Sequence, residues 1–500
     1  MAPYFGLRGS ALSRAIIALV VCPAFVTYGY NLSVAGGLLT LDAFVESFPQ
    51  LDTINTEGDE QHYNSTIQGT VVALFTVGGM FGSLSCIYLG DLLGRKRVIQ
   101  LASSITIVGA ILMATSFHLA QFIIARIVLG LGTGGYLATV PVWQAEISKA
   151  TKRGAHVVTD GIFIGAGVSL ALWVDFGFYF VTGSSVAMLL VVVVFMSIFP
   201  ESPRWLVKKG RLDEARAILS AFNDDDPNSD AIASEIHDIQ LSLSQCGTLS
   251  WKAMLSMGEQ RLFHRTVLAA GGQVFQQMCG INLISMYATT IFEIYLGLDP
   301  TKSRILAAAM ALTQPFGGFL AFFTIDRLGR RPLMLWSAAG MAVSMAVLAG
   351  TTSAQNNQSA VIVAAVFLFV FQFIYTVGYS GLTFLYATEL RAAISAVSTT
   401  AVWAFNFLLA EVTPVGFNTI SYRYYIIFAV LNAAIVPTVY FFFPETNGRS
   451  LEEIDEVFLH SKTIWDPPRI ARTLPQMRLQ DAMEPNSSEE DKASKAQHVA

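Results

Sequence analysis

The chain has 500 residues, of which 53% are hydrophobic and only 13% are charged, and its formal net charge is −5. Soluble domains carry about 25% charged residues, so this composition excludes an ordinary soluble protein. The small acidic excess gives no reason to expect a nucleic-acid partner. The four cysteines are scattered, without the spacing of a metal site or a disulfide framework, and we predict no metal and no cofactor.

Twelve apolar stretches of roughly 18–28 residues are long enough to cross about 30 Å of hydrocarbon. They lie near 12–39, 67–90, 98–117, 120–141, 156–176, 179–199, 265–290, 303–325, 333–352, 361–386, 393–416 and 424–443. Backbone in lipid must satisfy its own hydrogen bonds, and these stretches are too long for the strands of a barrel. We therefore predict an all-α membrane protein with twelve transmembrane helices, for which the lipid bilayer is the surrounding partner.

Basic residues predict how these helices are oriented. If the N-terminus is cytoplasmic, the inward connections carry most of the lysines and arginines, whereas the outward connections carry only Lys302, Arg304 and Arg423. Lysine and arginine are retained on the cytoplasmic side of membranes. Both termini are therefore predicted to be cytoplasmic.

The chain divides into five predicted segments. A cytoplasmic N-terminus (1–11) precedes a six-helix bundle (12–199), a cytoplasmic helical linker (200–264), a second six-helix bundle (265–443) and a cytoplasmic tail (444–500). The linker places Ile218, Leu219, Ile232 and Ile236 at helical spacing, which predicts short amphipathic helices. The tail from about 485 is small, polar and charged, and is predicted to be disordered.

Short motifs recur at a nearly constant separation along the chain. Gly-Asp-Leu-Leu-Gly-Arg-Lys at 90–96 recurs as Asp-Arg-Leu-Gly-Arg-Arg at 326–331, Glu146 recurs as Glu389, and Pro-Glu-Ser-Pro-Arg at 200–204 recurs as Pro-Glu-Thr-Asn-Gly-Arg at 444–449. Such a chain consists of two copies of one unit. In a membrane protein, this arrangement is typical of a transporter with its substrate path between the copies.

The repeated loops carry acids and bases that fit a gate. Asp91 with Arg95, and Asp326 with Arg330, place opposite charges four residues apart around a glycine that lets the chain reverse. We expect these pairs to hold helix ends together in the outward-open state and to release them on inward opening. Their expected partners are Glu146, Arg153, Glu201, Arg204, Glu389, Arg391 and Glu445. The alternative is that the basic residues only anchor the topology.

Four motifs together resemble one known family. Gly-Asp-x-x-Gly-Arg-Lys at 90–96, Pro-Glu-Ser-Pro-Arg-Trp at 200–205, Gln-Gln-Met-Cys-Gly-Ile-Asn at 276–282 and Pro-Glu-Thr-x-Gly-Arg at 444–449 are similar to those of the sugar porter family of the major facilitator superfamily. The resemblance covers about 12–460 and is to the fungal branch. It implies two six-helix halves, alternating access, a plasma-membrane location and a hexose or related polyol as substrate.

The resemblance also implies a substrate site. On the seventh span it assigns Gln276, Gln277, Asn282 and Tyr287 to sugar binding, and on later spans Gln314, Phe384, Trp403 and Asn406. Amide side chains both donate and accept hydrogen bonds, as sugar hydroxyls require, and polar groups on an apolar membrane helix are usually functional. The alternative is that these amides join helices to one another.

Several positions depart from the family pattern. Gly161 stands where the family has a substrate-binding glutamine, Phe384 where it has a tryptophan, and Val402 where it has an asparagine. These changes predict a larger and less polar pocket. Two other substrates therefore remain open, a bulkier or less hydroxylated compound and a non-sugar metabolite. With less support, the chain could be a non-transporting sugar sensor. No nucleophile–base pair or phosphate loop is present, so an enzyme is not predicted.

Coupling to protons depends on three residues. In the family, an acid on helix one near the arginine of helix four marks many proton symporters; here these positions are Asn31 and Arg126. An amide does not exchange a proton, which favours facilitated diffusion. Asp160, on the fifth span, is the alternative proton carrier, or else a structural partner of a nearby donor.

Two sequons fall on the predicted outer side. Asn64 and Asn357 each begin an Asn-x-Ser/Thr sequence outside the helices that they adjoin. We predict that both are available for N-glycosylation.

Overall fold

The computed structural model describes residues 3–38, 42–52, 55–56, 58–148, 153–177, 183–246, 256–258, 261–353, 357–390, 392–449 and 451–474. Across these residues the regular secondary structure is helical throughout, and no strand occurs in them. The all-α prediction is therefore confirmed.

Six apolar helices form the first part of the molecule. The first, α1, runs over 9–38 as Gly9–Ile16, a π-helical turn Ile17–Val21 and Cys22–Leu38. The others are α2 (Gly58–Leu93), α3 (Arg95–Ala114), α4 (Leu119–Ile147), α5 (Arg153–Gly177) and α6 (Gly183–Ile198).

Six further apolar helices follow the linker. The seventh, α7, is broken into Leu262–Met278, Ile281–Met286, Ala288–Thr290 and a π-helical turn Ile291–Tyr295. Next come α8 (Pro300–Ala311 and Thr313–Leu328) and α9 (Arg330–Thr352). The last three are α10 (Gln358–Tyr375, a π-helical turn Thr376–Ser380 and Leu382–Leu390), α11 (Ala392–Ile420) and α12 (Arg423–Phe442).

Ten of these helices are long and apolar enough to cross a membrane, and the exceptions are the short α6 and the broken α7. The expectation of one uninterrupted helix over 265–290 is wrong. Gly280 has φ +101°, which ends the helix. The carbonyl of Cys279 that the break releases accepts a hydrogen bond from the Asn432 amide at 2.8 Å, so the interruption leaves this group satisfied.

Small residues set the closest helix contacts. Gly78 and Gly82 on α2 face Gly130 and Gly134 on α4, and a Cβ at any of the four would fall on the backbone of the opposite helix. Such contacts bring helices together in lipid through van der Waals packing, because apolar burial gives little driving force there.

The first six and last six helices meet through two equivalent contacts. Helix α2 packs against α11, and α5 packs against α8. In the two repeated units, α8 corresponds to α2 and α11 corresponds to α5. Each of the two contacts is therefore the counterpart of the other. The pairing therefore follows the repetition seen in the loops.

Short amphipathic helices cover one end of the molecule, which we call the linker side. The linker forms Pro203–Lys208, Leu212–Asn223 and Asp230–Cys246, with Ile218, Leu219, Ile232 and Ile236 buried. The tail adds Leu451–Leu459 and Pro467–Thr473. These three helices lie within the segment predicted as a helical linker, whose bounds and cytoplasmic location stay a prediction. The segment predicted to be disordered, from about 485, lies outside the described residues.

Candidate functional site

A small cavity lies at the centre of the molecule where α1, α5, α7, α8 and α10 meet. Its volume is about 40 Å³, and it is lined by Tyr28, Leu32, Ile164, Val168, Gln276, Gln277, Ile281, Asn282, Ser285, Gln314, Tyr375, Ser380 and Phe384. A water molecule needs about 10–15 Å³ of such space. In this conformation the cavity has room for a few waters only, so a larger ligand requires the surrounding helices to separate.

A chain of amide hydrogen bonds forms the polar wall of the cavity. Asn282 donates to the Gln277 side chain at 2.6 Å, and Gln277 donates to the Gln276 side chain at 3.2 Å. Gln276 in turn donates to the carbonyls of Tyr379 and Ser380 at 3.1 and 2.9 Å. These carbonyls belong to the π-helical turn of α10, whose altered hydrogen bonding frees them. The amides therefore join α7 to α10 as well as lining the cavity.

Gln314 of α8 extends this polar wall. Its amide lies 3.5 Å from the Ser285 hydroxyl, which lies 3.5 Å from the Gln372 side-chain oxygen. Both distances are at the outer limit for a hydrogen bond. Five predicted substrate-binding residues thus line the cavity together: Gln276, Gln277, Asn282, Gln314 and Phe384.

Three predicted substrate-binding residues are not among those that line this cavity. Tyr287 donates to the carbonyl of Ala410 at 3.2 Å and so packs against α11. Trp403 is fully buried, with its ring 5.7 Å from that of Tyr28, and Asn406 is 1% exposed. In this conformation these side chains contribute to helix packing, and their contact with substrate stays a prediction.

The space at Gly161 contradicts the expected enlargement of the pocket. A Cβ at Gly161 would lie 2.7 Å from the backbone nitrogen of Gly381 and 2.9 Å from the Ser380 hydroxyl. Helix α5 therefore packs directly against the break in α10 and leaves no room for a side chain at this position. The expectation of a larger pocket is wrong here, because loss of the side chain allows close packing instead of leaving a void.

The two parts of the molecule contribute different chemistry to the cavity. The lining from α1 and α5 is Tyr28, Leu32, Ile164 and Val168, of which only Tyr28 has a polar group. The amide and hydroxyl groups of the other side chains come from α7, α8 and α10. The wall formed by the first six helices is therefore mostly apolar, and the polar groups are concentrated on the wall formed by the last six.

Sequence reasoning missed several lining residues. Tyr28, Ile164, Val168, Tyr375 and Ser380 were not predicted because nothing in their local pattern separates them from ordinary membrane-helix residues. Ser285 was detectable, since it lies one helical turn beyond Ile281 and close to Asn282 on the polar part of α7.

The repeated loops on the linker side share one backbone geometry. Gly94 has φ 87° and ψ 167°, and Gly329 has φ 91° and ψ 168°. The Glu201 carboxylate accepts from the backbone nitrogens of Arg95 and Lys96 at 3.0 and 3.1 Å. The Glu445 carboxylate accepts from those of Arg330 and Arg331, both at 3.0 Å. Each carboxylate thus caps the N-terminus of a membrane helix, α3 or α9.

Burial affects the acidity of Glu201, the first of these two capping carboxylates. Removal of Glu201 from water raises the pKa of its carboxyl above the ordinary value, while the hydrogen bonds from Ser202 and Lys96 oppose this rise. The backbone contacts favour the ionised form, which the helix N-terminus also stabilises.

The contacts described for the arginines of the two loops are not the same. Arg95 forms two hydrogen bonds to Glu146, both at 3.0 Å, with only 11% and 6% of the two side chains exposed. Arg330 contacts Asp326 at 3.0 Å and the Asn447 side-chain oxygen at 2.6 Å. The other Asp326 oxygen accepts from the backbone nitrogen of Ala155 at 3.2 Å, so this loop reaches the N-terminal end of α5 in the other half.

The remaining predicted gate residues are only partly described. Asp91 contacts Arg95 at 3.9 Å and Lys208 at 2.8 Å, and Arg204 lies half-buried in the helix Pro203–Lys208. The side chains of Arg153 and Glu389, and the whole of Arg391, lie outside the described residues.

The predicted coupling residues are buried and separate. Arg126 donates to the carbonyl of Val72 at 3.0 Å and lies over the Phe75 ring at 4.8 Å. Among the described residues, no hydrogen bond joins Asn31 to Arg126, and the amide of Asn31 has no hydrogen-bond partner. Both carboxyl oxygens of Asp160 likewise lack a partner there, so the alternative of Asp160 as a partner of a nearby donor is not met in this conformation.

The two sequons differ in accessibility. Asn64 lies inside α2, is 5% exposed, and donates through its side-chain nitrogen to the carbonyl of Asp52 at 2.8 Å. Because a glycan would be attached to that nitrogen, glycosylation requires this contact to be absent when the sugar is added. Asn357 is exposed just before α10. Glycosylation at both positions stays a prediction.

Comparison with known proteins places these features in a family. Residues 17–458 match the family model described as sugar (and other) transporter. The chain is 34% identical to the sugar transporter STL1 of Saccharomyces cerevisiae, over 96% of this chain and 87% of that protein. It is 32% identical to the MFS-type transporter oryC of Aspergillus oryzae, over 96% and 92% of the two chains.

The fold is similar to that of solved major facilitator structures. The proton:xylose symporter XylE bound to 6-bromo-6-deoxy-D-glucose aligns with a TM-score of 0.74 at 22% identity, covering 88% of this chain and 98% of that one. The inward-open xylose transporter XylE from E. coli aligns with a TM-score of 0.66, also at 22% identity, covering 88% and 99% of the two chains. At this identity the likeness shows the fold alone.

Proposed function

Because the chain belongs to the sugar (and other) transporter family and is a multi-pass membrane protein, we propose that it carries a hexose or related polyol by alternating access between its two six-helix halves. The amide wall of the cavity supports this most directly. Asn282, Gln277 and Gln276 present donors and acceptors in one buried row, and polyol hydroxyls need both. Tyr375 and Phe384 add aromatic surface for the C–H groups of a sugar.

The gate of this carrier is the second repeated loop. Asp326 and Arg330 meet the N-terminal end of α5, at Gly154 and Ala155, and so tie the two halves on the linker side. Separation of these contacts opens the cavity towards that side, and their formation closes it. The network around Arg95 and Glu146 keeps the first half rigid during this motion.

We place the linker side in the cytoplasm and the protein in the plasma membrane. The excess of lysine and arginine in the loops of that side supports this orientation. Epitope tags at the two termini, detected in intact and in permeabilised cells, test it: staining of either tag in intact cells contradicts the orientation.

Uptake measurements test the function. The chain is expressed in yeast that lacks its own hexose carriers, and uptake of radiolabelled glucose, fructose and xylose is measured alongside surface expression. We expect Asn282→Ala to raise the KM for the transported sugar about two- to tenfold, the equivalent of one lost hydrogen bond. The control Gln240→Ala changes an exposed amide of the linker and should leave KM unchanged.

A non-sugar metabolite is the second candidate substrate. The observation that favours it is the wall of Leu32, Ile164 and Val168, which offers no hydrogen bond to a fully hydroxylated ring. If none of the three sugars is taken up while the protein is at the surface, this candidate replaces the first.

A further inference from the structure

Asp160 is an unpaired acid in the interior of the protein. It lies within α5, none of its surface is exposed, and neither carboxyl oxygen has a hydrogen-bond partner among the described residues. Buried acids in membrane helices are costly and are usually retained for function. The gate and the amide wall make no use of it.

The position of Asp160 links it to the cavity. Asp160, Ile164 and Val168 follow one another at intervals of four residues and so share a face of α5, and the latter two line the cavity. Four residues correspond to about 6 Å along a helix. The adjacent Gly161 packs against Ser380 and Gly381 of α10. The acid therefore lies about one turn from the cavity on the linker side, at a contact between the two halves.

Among the described residues, no charged group pairs with this acid. Helices α1, α4, α8 and α10 pack against α5. The titratable or charged side chains of these helices that lie nearest to the contacts in the sequence are Tyr28, Tyr30, Arg126, Tyr136, Glu146, Asp326, Tyr375, Tyr379 and Tyr386. His156 of α5 itself and Arg330 at the start of α9 are added to them. In the part of the chain that the structure describes, none of them hydrogen-bonds to Asp160 or forms an ion pair with it.

Burial of an ionised carboxylate without a partner is strongly unfavourable, and such groups take up a proton instead. In this conformation, with Gly161 closed on Gly381, Asp160 is therefore the neutral acid. Separation of α5 from α10 would admit water to the carboxyl and restore the conditions in which it ionises. The protonation state of Asp160 thus depends on whether α5 and α10 are in contact at Gly161 and Gly381.

The alternative pair of coupling residues cannot replace it. Asn31 carries an amide, which has no titratable proton, and Arg126 forms no ion pair among the described residues. An amide in place of a carboxylate removes proton exchange at that position. If transport is coupled to protons, another acid must bind them.

We propose that Asp160 is the proton-binding site of this carrier and that transport is proton symport. The inference rests on the proposed function. The Asp160 carboxylate takes one proton from the outer solution through the outward-open cavity while α5 stays closed on α10, and the same proton passes to the cytoplasm when α5 separates from α10 on inward opening. His156, one turn closer to the linker side on the same helix, lies along the exit direction.

The test combines sugar uptake with proton movement. In yeast lacking hexose carriers, glucose, fructose and xylose are supplied with and without a protonophore, and the external pH is recorded. We expect the wild type to alkalinise the medium on sugar addition and to accumulate sugar, about tenfold for a pH difference of about one unit. The protonophore should abolish both effects.

Two variants test whether Asp160 is the residue that binds the proton. Asp160→Asn should still exchange sugar across the membrane but should neither accumulate it nor move protons. Asp160→Glu keeps the carboxyl and should keep coupling, which separates loss of the proton site from loss of folding. Sugar uptake in the wild type that is unaffected by the protonophore, or coupled uptake that survives in Asp160→Asn, overturns the proposal while leaving the sugar-carrier function intact.

A measurement without substrate covers the case in which no sugar is transported. Infrared spectra of the purified protein at neutral pH should contain the carbonyl band of a protonated carboxylic acid, and this band should be missing in Asp160→Asn. Absence of sugar uptake with the band present contradicts the proposed substrate class only. Absence of the band from the wild type overturns the assignment of Asp160 as a proton-binding acid.

Discussion

The two repeated loops share one backbone geometry, and the side-chain contacts described for them are not the same. In each, a glycine with φ near +90° precedes a membrane helix whose first nitrogens donate to a half-buried glutamate, Glu201 or Glu445. Among the described contacts, Arg95 pairs with Glu146 inside its own half, and Arg330 pairs with Asp326, which also contacts Ala155 of the other half.

The loop motif therefore has two separate roles, one for its backbone and one for its charged side chains. The cap on the helix N-terminus depends on backbone geometry, and both copies retain it because any loop of this shape must satisfy the same nitrogens. The charged side chains are free to take different partners. In the contacts of the described residues, the first loop stabilises its own bundle and the second also joins the two bundles, so the second loop is the one that we expect to release.

The largest expected difference between the loops comes from removal of the arginines. Arg95→Ala leaves Glu146 buried without its partner, and breaking such a pair costs about 3–5 kcal/mol. Arg330→Ala leaves Asp326, whose side chain is 33% exposed, so solvent reduces the loss from this ion pair to about 1 kcal/mol.

Thermal unfolding of the purified variants in detergent measures both losses. The conservative variants Arg95→Lys and Arg330→Lys serve as controls, since each keeps the charge and loses only the second hydrogen bond. Equal destabilisation by Arg95→Ala and Arg330→Ala would show that the two pairs do not differ as described.

The glycines of the loops should be equally sensitive. Gly94 and Gly329 occupy a backbone region that is essentially restricted to glycine, and any other residue costs about 1–3 kcal/mol there. An added Cβ would also lie 2.5 Å from the Glu201 carboxylate or 2.6 Å from that of Glu445. Gly94→Ala and Gly329→Ala should therefore lower stability by similar amounts.

Gly90→Ala is the matched control for these two variants, because Gly90 lies within α2 and a Cβ there meets nothing within 4 Å. Its melting temperature should be unchanged or slightly higher. If Gly94→Ala lowered the melting temperature and Gly329→Ala did not, the second loop would tolerate a different backbone conformation.

The smallest expected effect concerns the contact between the halves. Asp326→Asn weakens the acceptor for the Ala155 nitrogen and should shift the equilibrium towards opening on the linker side by about 1 kcal/mol, or about fivefold. Asp91→Asn should shift it little, because the contacts of Asp91 in the described residues are to Arg95 and Lys208 of its own half.

A native cysteine reports this shift. Cys86 lines a small cavity that also touches Arg95 and Ala396 of α11, so it becomes reactive when the halves separate on the linker side. With Cys22, Cys246 and Cys279 changed to serine, the rate of thiol labelling should rise about fivefold in Asp326→Asn. An equal rise in Asp91→Asn would assign the gate to both loops.

Much of the fold was predictable from the chain. The apolar stretches marked the positions of all twelve apolar helices, of which ten are long and apolar enough to cross a bilayer. The spacing of Ile218, Leu219, Ile232 and Ile236 marked the linker helices, and the repeated loops marked the two copies. The break in α7 was not predicted, because Gly280 is followed by residues as apolar as those before it.

The candidate site was predictable only where polarity stood out. Gln276, Gln277 and Asn282 stood out because amides are unusual on apolar helices, and their assignment to the substrate site, like that of Gln314, came from the family resemblance. The sequence also indicated that Gly161 removes a side chain from the pocket, but only the tertiary structure decided that α5 closes onto Gly381 instead of leaving space. The same closure determines that Asp160 is buried without a partner, since both outcomes depend on contacts between helices that are distant in the chain.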